Sequence, residues 1–332
     1  MTYANISSNN HPIETGRYII STNQITNGQA LINNWIKMRI PGAIIYGKQR
    51  MGKTKLINYA QHILNNNPEY VIPNYHIKWT NHSSKENTFF ELMLDSVNHS
   101  IPFEGRPIEK RRRLSNYLLS VAEKSKQNKI IFFIDDAHRL KKQDYEWLMD
   151  IYNDLESFGI SLISFLVAQE EILYVLQDLK RRKAMQIIGR FMTDDYRFTG
   201  FIEQKDFEDL LDEYDQYTEF PVNSNITFTE HYFKEQYDAG FRLKNYLPQF
   251  FAAMNHIQST HGIVEFKEIP AMYVIRTIEN VLIDYGNFGE KVSEITIQHW
   301  VTAIENSGYI TANANLYKSK QLDESYLNKQ NY

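Results

Sequence analysis

One octapeptide constrains this chain more than any other feature. Gly47-Lys48-Gln49-Arg50-Met51-Gly52-Lys53-Thr54 reads G-x-x-x-x-G-K-T, the pattern of a phosphate-binding P-loop. Residues 43–46 before it form a short apolar run suited to a buried strand. Residues 55–65 after it carry helical periodicity, with Leu56, Ile57, Ala60, Ile63 and Leu64 on or near one face. Strand, glycine-rich turn and helix in that order is the context the motif requires. The loop amides turn toward phosphate oxygens, and the helix start favours negative charge. Gly47, Gln49, Arg50, Met51, Gly52, Lys53, Thr54 and Lys55 are therefore the candidate nucleotide contacts. Lys53 would reach the β- and γ-phosphates, and Thr54 would give its hydroxyl to Mg²⁺.

Composition removes several alternatives. The chain has 332 residues, 42% of them hydrophobic and 14% aromatic, enough for a large core in one enlarged domain or two. It has no cysteine, which excludes a disulfide scaffold, a cysteine nucleophile and a thiolate zinc site. No apolar run approaches the roughly 18 residues of a membrane span. Residues 1–11 are polar and lack a signal-peptide pattern, so a cytoplasmic protein is expected. The net charge of -4 is no global sign of a nucleic-acid binder. The local distribution differs: residues 110–113 and 180–183 are basic runs, and acids crowd residues 203–219. Segregation of this kind can give a basic surface on an acidic protein.

Strand-like and helix-like segments alternate along the first two thirds. Residues 27–37, 88–97, 109–126, 144–158 and 173–182 read as helices; 70–79, 130–134, 161–168 and 196–198 read as strands, 130–134 being the cleanest. That alternation implies an α/β fold with a parallel sheet covered on both faces. From about residue 201 the pattern turns to helices alone, over 206–214, 229–239, 243–258, 272–282 and 295–304. The expected organisation is a loose N-terminal arm (1–22), an α/β core (23–200), a helical lid (201–310) and a polar tail (311–332).

A second acidic signal follows the first. Asp135 and Asp136 end the apolar run 130–134, which brings Asp135 to the sheet edge beside the P-loop as a hard-oxygen Mg²⁺ ligand. Asp136 would polarise the attacking water, with one methylene less reach than the glutamate common at this place. Gln169 ends the strand 161–168 and faces the ligand crevice of a parallel sheet, where it can contact the γ-phosphate or the lytic water. Arg190 could enter a neighbouring subunit's site and neutralise phosphate charge; Arg197 is its nearest competitor. Arg242 and Lys244 open a helix of the second module, and one of them could reach back over the phosphates. Arg106, Lys110, Arg111, Arg112 and Arg113 are candidate DNA-backbone contacts, although four successive helical residues cannot all meet one strand and a solvated charged face would look the same. No base-reading motif accompanies them, so sequence preference would be weak. The ten histidines show no metal spacing.

In this order, P-loop, acidic pair, polar sensor, arginine and helical lid resemble the AAA+ ATPases. Within them the chain is most similar to the transposition regulators TnsC, TniB and MuB. Ile134-Asp135-Asp136-Ala137-His138-Arg139-Leu140 resembles their I-D-E-A-D/H-R-L element, and Arg190-Phe191 their R-F segment. The resemblance covers residues 24–258 and implies a P-loop AAA+ three-layer fold with an all-α lid. It implies ATP and Mg²⁺ as cofactors, with slow or partner-stimulated hydrolysis. It also implies a ring or filament of identical subunits on duplex DNA that links target-site selection to a transposase in DNA recombination, without a membrane. Asp136 in place of glutamate departs from the pattern, as does the size of the region after residue 258. A secretion-associated ATPase of the ExeA type and a nucleotide switch that does not act on DNA share the same core.

Overall fold

The computed structural model describes residues 3–4, 11–67, 71–80, 85–263 and 268–313. The chain forms two compact units, Gln24–Thr199 and the combination of Met1–Asn23 with Gly200–Tyr332. In chain order the elements are β1 (Tyr3–Ala4), α1 (Pro12–Thr15), β2 (Tyr18–Ile19), α2 (Asn23–Met38), β3 (Gly42–Tyr46), α3 (Lys53–Asn65), β4 (Asn74–Lys78), α4 (Glu86–Ser96), α5 (Pro107–Ser125), β5 (Lys129–Asp135), α6 (Lys142–Ser157), β6 (Ser161–Ala168), α7 (Ile172–Arg181), α8 (Met185–Phe191) and β7 (Asp194–Arg197). The second unit adds α9 (Gln204–Asp212), α10 (Phe228–Tyr232), α11 (Lys234–Asp238), α12 (Leu247–His261), α13 (Ala271–Tyr285) and α14 (Ile297–Asn306).

The first unit is built on a parallel five-stranded sheet in the order β4-β5-β6-β3-β7. Its central strands are apolar on both faces, as strands covered by helices on each side must be. Alternation divides their side chains. Ile130, Phe132 and Ile134 join the core that holds Phe89 and Phe90 of α4, Leu114 of α5 and Leu148 of α6. Phe133 points to the other face, against Phe165, which stacks on Trp35 of α2. The P-loop strand β3 lies between β6 and β7. The carboxyl ends of β3, β5 and β6 thus share one sheet edge, the place where open α/β sheets bind ligands. This is the expected P-loop AAA+ architecture with a helical C-terminal region. Among the described residues no helix is long and apolar enough to cross a membrane.

The structure departs from the sequence reading in three places. Helix α8 was not expected: its buried Ile187 and Phe191 give a single i,i+4 pair around Gly189, too short for a periodic signal. The stretch 229–239 breaks at Phe233 into α10 and α11, and 243–258 begins as a 3₁₀ turn, Leu243–Tyr246. The N-terminal segment is no loose arm from His11 onward. Ile13, Tyr18 and Ile20 are buried in the core of the second unit, and the Tyr18 hydroxyl lies 2.6 Å from that of Tyr214 and 2.7 Å from Glu279 Oε1. A lone isoleucine and the three-residue run 18–20 in a polar stretch are too short to show a period, so tertiary burial selects them. Most of the expected tail, from residue 314 on, lies outside the described residues.

Candidate active site

The P-loop joins β3 to the first turn of α3. Its conformation explains its glycines. A Cβ on Gly47 would lie 2.2 Å from the carbonyl oxygen of Phe198, and Gly52 sits at φ +109, a region closed to side chains. Arg50, between them, also adopts a left-handed conformation at φ 65. Lys53 begins the helix, and its Nζ rests 2.7 Å from the carbonyls of both Gly47 and Lys48. Burial lowers the Lys53 pKa, opposed by Asp135, Asp136, Glu170 and Glu171 around it. Thr54 and Lys55 are exposed at the helix start.

Asp135, at the end of β5, meets the P-loop directly. Thr54 Oγ1 donates to Asp135 Oδ2 at 2.9 Å, and His76 Nε2 of β4 lies 3.4 Å from the same oxygen. Burial pushes the Asp135 pKa up, but the hydrogen bonds from His76, Thr54 and the Asp136 amide together hold it below the usual carboxylate range. It is thus a charged acceptor at physiological pH. Asp136 takes a left-handed conformation, φ 57, and its carboxylate faces outward, 3.8 Å from Arg139 Nη1. Gln169 closes the other side: Gln49 Nε2 of the P-loop donates to Gln169 Oε1 at 2.8 Å. Beside it, Glu170 pairs with Arg197 at 3.6 Å. Among the described residues no three histidine, cysteine or carboxylate groups gather into a metal cage. A hydroxyl and one carboxylate suit Mg²⁺, which takes few protein oxygens and completes its shell with phosphate and water.

Two contacts were missed from sequence. His76 has no metal-like spacing to other histidines; its signal is its place on the parallel strand beside β5, where Lys78 pairs with Asp135. The Gln49–Gln169 bond spans 120 positions and only the pairing of β3 with β6 brings its ends together.

Arg190, near the end of α8, lies over the Tyr152 ring at 5.3 Å from its centroid, and Nη2 reaches Asn153 Oδ1 at 3.3 Å. Its Nε is buried without a hydrogen-bond partner among the described residues. In the second unit Arg242 stacks on Tyr237 at 3.5 Å and donates to the Tyr237 and Phe241 carbonyls. Lys244 Nζ pairs with Asp212 at 2.5 Å. Buried Asp215 holds this turn by accepting from the amides of Leu243 and Lys244, both at 3.0 Å.

The basic run on α5 spreads around the helix, as four successive residues must. Lys110 is 1% exposed, its ammonium bound to Glu91 and to Asn87 at 2.8 Å. Buried and paired, it cannot reach a DNA backbone. Arg111 is half-buried and pairs with Asp150 at 2.9 Å and Asp154 at 3.8 Å. Arg113 donates to the carbonyls of Ile101 and Glu104. Arg106 and Arg112 remain exposed.

Fold and site of the first unit are those of a P-loop nucleotide-binding domain. Residues 42–176 match the family described as AAA domain. No curated protein sequence matches the chain. Among solved structures it is similar to the Aeropyrum pernix ORC1 protein in complex with DNA, at 10% identity and TM-score 0.52, over 86% of this chain and 66% of that one. It is also similar to domain III of the Thermotoga maritima replication initiation protein DnaA (14% identity, TM-score 0.46, 88% and 95% of the two chains). A third is Drosophila ORC bound to DNA (12%, TM-score 0.44, 85% and 59%). The chain spans 66% and 59% of the two ORC chains, less than two thirds of either. At 10% identity the likeness to ORC1 is one of fold.

Proposed function

We propose that this chain is a cytoplasmic, DNA-binding AAA+ regulator that assembles into a ring or filament on duplex DNA and couples target-site selection to a transposase. The observation that carries the nucleotide half is the Thr54–Asp135 hydrogen bond, which joins the P-loop helix to the acidic strand. The DNA half is supported by the exposed Arg106 and Arg112, by the Ala137-His138-Arg139-Leu140 extension, and by a shared fold with an ORC1 protein solved in complex with DNA.

In this reading Gly47, Gln49, Arg50, Met51, Gly52, Lys53 and Lys55 hold the triphosphate of ATP. Thr54 and Asp135 hold Mg²⁺. The chemistry supplied by a bound Mg²⁺ is neutralisation of charge on the β- and γ-phosphates. Asp136 takes the proton side of the reaction by orienting water, and Gln169 positions that water from across the P-loop. Arg190 leaves Tyr152 and Asn153 to reach the nucleotide of an adjacent subunit, and Arg242 or Lys244 acts from the helical unit.

Electron microscopy with and without duplex DNA and a slowly hydrolysed ATP analogue tests this reading. Rings or filaments that need both ligands are the expected result. A Lys53→Ala protein that assembles equally well would remove nucleotide from the account. One observation favours a second reading, a nucleotide switch that does not act on DNA: of five candidate cations only Arg106 and Arg112 are exposed. Assembly with ATP alone, indifferent to DNA, would select it.

A further inference from the structure

The corner between α4 and α5 displays large apolar side chains where solvent is expected. Phe103 is 64% exposed and Ile108 72%. The connection is nonetheless fixed. Arg113 Nη1 donates to the carbonyls of Ile101 at 2.8 Å and Glu104 at 2.9 Å. The Ile101 amide donates to His99 Nδ1 at 3.0 Å, and the Arg106 amide to Glu109 Oε2 at 2.9 Å. Gly105 turns the chain at φ +92, where a Cβ would strike Glu109 Oε2 at 2.5 Å. Pro102 and Pro107 restrict it further. The basic residue Arg113 is thus the clamp that holds the tip in place.

The tip carries exposed charges of both signs, with two guanidinium groups close to its apolar side chains. Arg106 lies in sequence between Phe103 and Ile108, and Arg112 shares the face of Ile108 one helical turn on. Both guanidinium groups are exposed, and among the described residues neither pairs with a carboxylate. Glu109 accepts from the Arg106 amide, and Glu104, exposed beside Phe103, is the one acid at the tip itself. A rigid apolar point beside unpaired cations complements duplex DNA, in which stacked bases lie inside an anionic rim.

We propose that this corner is a wedge: Phe103 enters between two base pairs, Ile108 packs beside it, and Arg106 and Arg112 neutralise phosphates next to the opened step. The inference rests on the DNA reading above and specifies how the duplex is held. An unstacked step would mark the positions the protein bends, giving preference for easily opened pyrimidine–purine steps without base-edge contacts.

The test uses the full chain, a slowly hydrolysed ATP analogue and duplexes carrying 2-aminopurine, whose fluorescence rises on unstacking. Wild-type protein should brighten the probe. Phe103→Ala should lower affinity roughly tenfold, within the range of a lost base–aromatic stack, and abolish the brightening with the salt dependence unchanged. Phe103→Trp should restore both. Arg106→Ala with Arg112→Ala should instead reduce the salt slope by about two, one per phosphate contact. Because the Phe103 side chain is exposed, melting of each variant should superimpose on wild type. Tight binding without brightening, and Phe103→Ala at wild-type affinity, would overturn the wedge and leave the DNA reading intact; the tip would then serve a protein or lipid surface. Failure of the wild-type protein to bind any duplex at low salt would remove the DNA reading itself, and the wedge with it.

Discussion

Lengthening one acidic side chain tests the catalytic arrangement. Asp136 is held at φ 57, where aspartate is tolerated better than longer residues because its short polar side chain can bond locally. Its carboxylate is 43% exposed and faces Arg139 at 3.8 Å, so an added methylene meets no buried neighbour. Asp136→Glu would extend the reach by about 1.5 Å, one carbon–carbon bond. A 1 Å error in placing a reacting group costs on the order of 100-fold. If short reach limits the wild-type protein, the variant should hydrolyse ATP roughly 10- to 100-fold faster, about 1.4–2.7 kcal/mol off the barrier. The left-handed backbone opposes this in stability, at a cost below about 1–2 kcal/mol. Phosphate release at saturating ATP and Mg²⁺ measures the rate, with Lys53→Ala as blank. Asp136→Asn should fall by at least about 100-fold, the contribution of a positioned general base. An Asp136→Glu protein that binds nucleotide normally and turns over no faster would refute the argument from reach. An Asp136→Asn protein at the wild-type rate would remove the residue from the chemistry.

Three further outcomes follow from buried or bonded groups. Burial and the neighbouring His231 lower the His11 pKa to about 3, against an unfolded value near 6.5. The unfolded chain therefore binds the extra proton first, so stability is whole above pH ~6.5 and falls toward pH ~3, by about 1.4 kcal/mol per unit. At pH 5 this is about 2 kcal/mol, and His11→Asn, which can still cap the Ile13 amide, should lose that part of the slope in urea melts. Lys110→Met leaves part-exposed Glu91 with only Asn87 as donor and should cost about 2 kcal/mol in thermal unfolding, whereas Arg112→Met should stay within about 0.5 kcal/mol. Thr54→Val deletes the hydroxyl that bonds Asp135 and should weaken ATP binding roughly tenfold when Mg²⁺ is present. With chelator, calorimetry should find little change.

The first unit was largely legible because its signals are local and strong. The strand 161–168 and the core of β5 follow from continuous apolar runs, and the P-loop from residue types that its turn and phosphates demand. The polar site contacts are a different matter. Asp135 beside the P-loop and Gln169 at the crevice follow from the strands they end, but His76 and the Gln49–Gln169 bond depend on a strand order, β4 and β6 flanking β5, that no single segment states. The second unit was legible as helical but not in its breaks. The cap that Asp215 gives to the turn at residues 243–246 crosses 28 positions and replaces a regular helix start with a 3₁₀ turn.

The basic run on α5 shows why charge must be read on the helix rather than along the chain. Consecutive residues on an α-helix point about 100° apart, so a run of four cations addresses four directions. Lys110 precedes Leu114 and Leu118 by four and eight residues, the spacing of one face, and all three are buried. That face had to be the core face, so Lys110 could be solvated only by finding Glu91 and Asn87. Arg111 turns to the acids of α6, and Arg113 turns back to clamp the preceding loop. Only Arg112 is left facing outward, on the side that carries Ile108. On the proposed DNA reading, what this helix offers a polyanion depends less on the number of its cations than on what lies beside the one that faces solvent. Moving a lysine to the neighbouring exposed position, as in Glu109→Lys, would add charge but release the Arg106 amide and loosen the corner. Weaker DNA binding despite the added charge is therefore the expected result, and tighter binding would show that charge count alone governs this surface.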